Sequence, residues 1–167
     1  MSILRVINDR TGNAVDRLQE KITYIKRESA TDMDYIYGAG VSTLNPFHEM
    51  MLVKEAYGET DRKGFYHYTF NPEAGEDIPD EQFLDMGVEM AERLSRFNGR
   101  YQVLMAVHFD GDDSNGKHLH FIANTIDVDT GRRMKLAKED LFRLKSELSA
   151  IAEKFGVERI RRYEHQG

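Results

Sequence analysis

The stretch from Tyr101 to Val128, YQVLMAVHFDGDDSNGKHLHFIANTIDV, leaves this chain few choices of fold. Two apolar, β-prone runs, Tyr101 to Phe109 and His118 to Val128, flank Asp110-Gly-Asp-Asp-Ser-Asn-Gly-Lys117. A connection so rich in Asp, Asn, Ser and Gly tolerates the positive φ that tight turns need, so the two runs are expected to pair as a hairpin. Side chains alternate along a strand, which puts His118 and His120 on one face, followed there by Ile122, Asn124 and Ile126. His108, on the partner strand, then lies across from one or both. Facing residues on paired strands have Cβ atoms about 4.5 to 5.5 Å apart, the convergence a three-nitrogen metal site requires. A purely structural cluster is the plainer alternative. Three imidazoles inside an apolar hairpin would each need a hydrogen-bond partner there, however, and metal binding is the favoured reading. Asp110, two residues beyond His108 and on its face, could orient a ligand ring as an acceptor.

The absence of cysteine confines any metal to nitrogen and oxygen ligands and is compatible with a reducing compartment. No apolar run reaches signal-peptide or membrane-span length, so a cytoplasmic protein without membrane insertion is expected. At 167 residues the chain suits one domain. The net charge of −6 argues mildly against nucleic acid, but its distribution softens the objection. Residues 58–100 carry −5 and 101–129 carry −4, whereas 130–167 carry +4. An acidic centre near clustered histidines also suits cation capture.

The rest of the chain reads as an alternation of elements. Ile3 to Ile7 is a short strand, and Ala14 to about Lys26 has helical spacing, with Val15, Leu18, Ile22 and Ile25 in one stripe. Tyr24 lies off that stripe, either merely exposed or presented toward a substrate. Tyr35 to Val41 reads as loop with at most a short strand. Asn45-Pro46 signals a helix start, with Asn capping, and that helix ends near Tyr57. Gly64 to Phe70 is an aromatic strand that sets His67 and Thr69 on one face and Tyr66, Tyr68 and Phe70 on the other. Asn71 to Asp77 is a turn-rich loop. Pro79, Asp80 and Glu81 open a helix whose buried stripe is Phe83, Met86, Met90, Leu94 and Phe97. Arg132, Arg133, Lys135 and Lys138 form a basic segment, and a last helix runs from about Lys138 to Phe155, stopped by Gly156. The remainder, from Arg159 on, reads as a polar end. This order predicts an α+β domain, a mainly antiparallel central sheet flanked by helices.

Several blocks together resemble conjugative relaxases, the mobilisation endonucleases of plasmids and integrative elements, most closely the MobP/VirD-like branch. They are His67-Tyr-Thr-Phe-Asn-Pro, Pro79-Asp-Glu-Gln82, Tyr101 to Asp110, His118-Leu-His-Phe-Ile-Ala-Asn124 and Asp129-Thr-Gly-Arg-Arg133. The likeness runs from about Ala14 to Gly156, and the paired histidines in an apolar strand are its most specific part. It implies that His108, His118 and His120 hold a divalent metal, Mg²⁺ or Mn²⁺, and that Tyr24 is the nucleophile. It implies further that Thr69 contacts DNA and that Asn124 closes the histidine motif. Lys26 and Arg27 beside Tyr24, His67 beside Thr69, and Arg132 and Arg133 are further candidate DNA contacts. Relatives often carry a histidine where this chain has Gly116, and the loop after His108 differs in length.

The implied activity is site- and strand-specific nicking and rejoining of single-stranded DNA at an origin of transfer through a 5′-phosphotyrosine. Relaxosome accessory proteins and a coupling protein would be partners. The expected organisation is one nuclease domain over 1–167, the N-terminal part of a longer protein. Two other classes compete: a non-catalytic single-stranded nucleic-acid binding module on the same fold, and a metal hydrolase acting on small phosphoesters.

Overall fold

The computed structural model describes the whole chain except residues 1, 10, 61–62, 73–77, 112–115, 158–159 and 167. The middle of the hairpin connection, most of the turn-rich loop after Asn71 and the basic Arg159 therefore lie outside the described residues. The strands are β1 (Ser2–Ile7), β2 (Ile36–Ala39), β3 (Phe65–Asn71), β4 (Val103–His108), β5 (His118–Asn124) and β6 (Ile160–Gln166). The helices are α1 (Leu18–Ile25), α2 (Pro46–Ala56), α3 (Asp80–Ser95) and α4 (Lys138–Lys154).

One sheet orders its strands β2-β4-β5-β3-β1-β6. The first five are antiparallel to their neighbours, and β6 joins β1 in parallel at the edge. The expected α+β domain is thus the observed one. The hairpin pairs as its alternation requires: His108 faces His118 and Ala106 faces His120. On the other side of β5, Thr69 faces His120 and His67 faces Ile122.

Alternation along the central strands feeds two apolar layers. Met105, Val107, Leu119, Phe121, Tyr68 and Phe70 point to one face, where α3 and α4 cover them with Phe83, Met86, Met90, Leu144 and Leu148. Leu104, Ala106, Ile122 and Phe65 point to the other, under Leu18, Ile22 and Ile25 of α1 and Met50 of α2. The histidines continue this second face past its apolar part, where α1 ends.

The structure corrects some local readings and sharpens another. The sequence ended at a polar tail, yet Ile160–Gln166 is a strand; its run IRRYEHQ lacks the apolar alternation of a half-buried strand, and pairing with β1 supplies what the pattern does not. The short strand that the sequence allowed within Tyr35 to Val41 is β2, at the opposite edge of the sheet. The first helix opens with a 3₁₀ turn at Val15–Arg17 before α1, and Asn45 makes no side-chain capping bond to α2. Instead Ser42 accepts the Asn45 backbone N–H at 3.2 Å.

A buried polar network fastens α2 to the sheet end opposite the histidines. Asn124 Nδ2 donates to the Met50 carbonyl at 3.1 Å and to Gln102 Oε1 at 3.0 Å, and Lys54 Nζ donates to Thr125 Oγ1 at 3.0 Å. These bonds satisfy groups that would otherwise be costly to bury, and they turn the chain away after Asn124, before the expected strand end at Val128.

Candidate metal centre

His108 from β4 and His118 and His120 from β5 converge because the register sets the first two opposite each other and the third one pleat along. One nitrogen from each ring lies within 4.8 Å of the other two. Ring centroids are separated by 4.1 Å for His108 and His120, 4.9 Å for His118 and His120, and 5.2 Å for His108 and His118.

The hydrogen bonds choose which nitrogen of each ring is free. His108 Nε2 donates to the carbonyl of Ile25 at 2.7 Å, using one of the C-terminal carbonyls that α1 leaves without a helical partner. Its Nδ1 is buried with no partner, a vacant lone pair facing the cluster. His118 Nδ1 lies 3.4 Å from the Gly116 carbonyl, leaving Nε2 to the cluster. His120 Nδ1 meets His67 Nε2 at 2.9 Å, which again leaves Nε2.

Burial keeps these rings neutral. It pushes His108 down to about 4, against the opposing pull of the Ile25 carbonyl, and His67 down to about 3, with Lys21 adding to the effect. It also lowers His118 and holds His120 well below the ordinary histidine value, the latter reinforced by His108 and His67. Neutral imidazoles with inward lone pairs are what a divalent cation needs. The residues present therefore fit such an ion, and the orphaned His108 Nδ1 is the plainest sign of it.

Tyr24, on the last turn of α1, stands at the mouth of the cluster. Its ring centroid is 6.0 Å from that of His120 and 6.2 Å from that of His108, and 45% of the residue is exposed. Arg27 braces it: its guanidinium carbon lies 4.1 Å from the Tyr24 ring centroid, and Nη1 donates to the Tyr24 carbonyl at 2.8 Å. The same guanidinium donates to Asp110 Oδ2 at 2.6 Å. One arginine thus ties the helix bearing the phenol to the strand end bearing the imidazoles. Of the other tyrosines near the N-terminal half, Tyr35 packs its ring against Phe109 and Tyr37 donates its hydroxyl to Glu92, so neither faces the cluster.

The remaining expected site residues fall in three places. Asp110 is beside the cluster, but its oxygen is 3.9 Å from His118 Nε2, too long for the anticipated orienting hydrogen bond. Partial burial would raise its pKa, yet the Arg27 hydrogen bond and charge lower it on balance. Thr69 and His67 share the histidine face but are 4% and 3% exposed, which leaves them no surface for a DNA backbone in this conformation. Thr69 Oγ1 accepts from Asn71 Nδ2 at 3.1 Å, and His67 serves His120 instead. Asn124 bonds to Met50, Gln102 and Thr125 and to no imidazole.

Arg132 and Arg133 lie beyond the far end of β5, about 20 Å of strand away from His118. Arg133 is taken up by the Lys63 carbonyl at 2.8 Å and Glu59 at 3.5 Å, while Arg132 is exposed.

Two glycines shape the site, Gly116, already noted in the sequence, and Gly111, which sequence reasoning missed. A Cβ on Gly111 would come 2.8 Å from His118 Nδ1, and one on Gly116, whose φ is +87°, would meet the Phe109 carbonyl oxygen at 2.6 Å. A side chain at position 116 would therefore be strained both by the backbone φ and by that contact.

A largely antiparallel sheet, three convergent imidazoles and a half-exposed phenol at their mouth define an α+β domain with a histidine cluster whose ligand atoms could hold a metal ion. The family model described as Relaxase: MobA/VirD2-like, nuclease domain, matches residues 24–157, and the chain belongs to that family. Its broad function is accordingly that of a relaxase nuclease domain, nicking DNA in mobilisation. No curated protein sequence matches the chain significantly. Among the described residues no helix is long and apolar enough to cross a membrane.

Proposed function

We propose that this domain cuts and rejoins one DNA strand at an origin of transfer by transesterification, with Tyr24 as the nucleophile and a divalent cation held by His108, His118 and His120. The observation that carries the reading is the placement of an exposed phenol about one ring diameter from the histidine cluster, 6.0 Å centroid to centroid from His120. Such an ion, when bound, would polarise the scissile phosphate and offset its developing charge. Neutral nitrogen ligands favour Mn²⁺ and other transition ions over Mg²⁺, whichever the cell supplies.

The protein's own groups do the rest. Arg27 holds the Tyr24 ring beside the cluster, and its guanidinium, bonded to Asp110 at the end of β4, would be close enough to meet a phosphate oxygen there. Tyr24 Oη forms a bond to phosphorus as the bond from phosphorus to the 3′ oxygen breaks. The phenolic proton leaves to solvent and the departing 3′ oxygen takes one up, so one ester replaces another without ATP and the step reverses. The groove alongside α1 is about 530 Å³ and is lined by Thr23, Lys26, Arg27, Leu44, Phe47 and His48. Cationic and aromatic side chains in one groove suit an unpaired strand.

The test is a denaturing gel. The protein is incubated with Mn²⁺ and single-stranded oligonucleotides from candidate origins. A covalent adduct with wild type and none with Tyr24→Phe is the expected result, and cation binding should be equal in both. Adduct formation by Tyr24→Phe would remove Tyr24 from its role, and metal-dependent hydrolysis without an adduct would favour a bound water as the nucleophile.

A further inference from the structure

His67 is the fourth imidazole on this face. It is 3% exposed, too enclosed for a substrate, and comes from β3, not from the hairpin that supplies the other three. Its Nε2 meets His120 Nδ1 at 2.9 Å, with ring centroids 5.1 Å apart, and its own Nδ1 is buried without a partner.

Two neutral rings joined this way carry two N–H protons, and only two arrangements satisfy the bond between them. In one, His67 Nε2–H donates and the proton of His120 sits on Nε2, the nitrogen aimed at the cluster, where it blocks a cation. In the other, His120 Nδ1–H donates to His67 Nε2, the proton of His67 sits on Nδ1, and His120 Nε2 presents a lone pair. Only the second arrangement binds metal. An apolar side chain at position 67 would leave His120 Nδ1–H buried and unpaired, which disfavours that tautomer.

We propose that His67 is a positioning residue that fixes the ring and the tautomer of His120 by accepting the hydrogen bond from Nδ1. This rests on the three-histidine cation site proposed above. The carboxylate expected in such a supporting role, Asp110, is bonded to Arg27, so the supporting hydrogen bond to the cluster comes from an imidazole instead.

The experiment is calorimetric titration of wild type, His67→Leu, His67→Gln and His120→Ala with Mn²⁺, alongside thermal unfolding in chelator. His67→Leu is expected to weaken binding about 10- to 100-fold, the usual cost of losing a group that supports a ligand. His67→Gln, whose amide oxygen can take the same hydrogen bond, should bind near wild type. A reading that needs no substitution comes from nitrogen-15 spectra of wild type loaded with Zn²⁺: the proton should reside on His120 Nδ1 and on His67 Nδ1. Wild-type affinity in His67→Leu together with loss in His120→Ala overturns the role of His67 alone. A proton on His67 Nε2 in the loaded protein does the same. Failure of wild type to bind Mn²⁺ at all overturns the metal site and this inference with it.

Discussion

Lys54 allows a prediction with a worked magnitude. It sits on α2, fully enclosed, with its ammonium on Thr125 Oγ1 at 3.0 Å. Burial, with Arg133 adding and Glu59 opposing, pulls its pKa from 10.5 down to about 7. An unfolded lysine keeps its proton to about pH 10.4. Between pH 7 and that value the unfolded chain binds more protons than the folded one, so stability rises with pH; below pH 7 both forms are charged and the burial cost is felt in full. The penalty near pH 7 amounts to about 4 kcal/mol, and about 2 kcal/mol of it should be relieved between pH 7 and pH 9.

Lys54→Met keeps the length of the side chain and removes the charge. Thr125 Oγ1 is not orphaned, because it also donates to the Lys63 carbonyl at 3.2 Å. The variant should therefore be more stable than wild type at pH 7 by about 1 to 4 kcal/mol, raising the melting temperature about 2–4 °C per kcal/mol. Urea unfolding of both proteins at pH 7 and pH 9 measures the gap, and other titrating groups cancel in the difference. A variant less stable than wild type at pH 7, or a gap unchanged at pH 9, would refute the reasoning.

Other perturbations address the site. Gly111→Ala should lower Mn²⁺ affinity about 10-fold or more by displacing His118, with little change in melting temperature; unaltered affinity in a titration would show that the loop yields. Arg27→Gln breaks a pair whose side chains are 27% and 36% exposed, so it should cost no more than about 1 kcal/mol of stability. The adduct rate should fall about 10- to 100-fold as Tyr24 loses its brace, and an unchanged rate would argue that the phenol needs none. In chelator, acid should destabilise the fold. His67 and His108, with folded values of about 3 and about 4 against 6.5, bind fewer protons folded than unfolded. Stability then drops as pH falls below 6.5, by about 2 kcal/mol per histidine at pH 5. Urea midpoints that match at pH 7 and pH 5 would contradict this, and His67→Gln should shrink the drop.

How much of this was legible in the chain itself follows from the reach of each interaction. Two apolar β-prone runs, Tyr101 to Phe109 and His118 onward, around a turn-rich connection determined the hairpin, and with it the meeting of His108, His118 and His120, because pairing across a short turn is a local matter. Stripes such as Phe83, Met86, Met90 and Leu94 determined α3 equally well. The edges were poorly marked: β6 carries no apolar alternation and exists through its backbone bonds to β1, a partner more than 150 residues away in sequence.

Roles were decided in the same way. His67 next to Thr69 looked like a DNA contact, but the register of β3 on β5 buries it against His120. Arg133 looked like a cation for a phosphate, and the fold spends it on Glu59 and the Lys63 carbonyl. Arg27 and Asp110, 83 positions apart, had no sequence signal for their bond. The chain's local pattern dictated which side chains share a face. Which of them touch across elements depended on long-range packing that only the folded structure resolves.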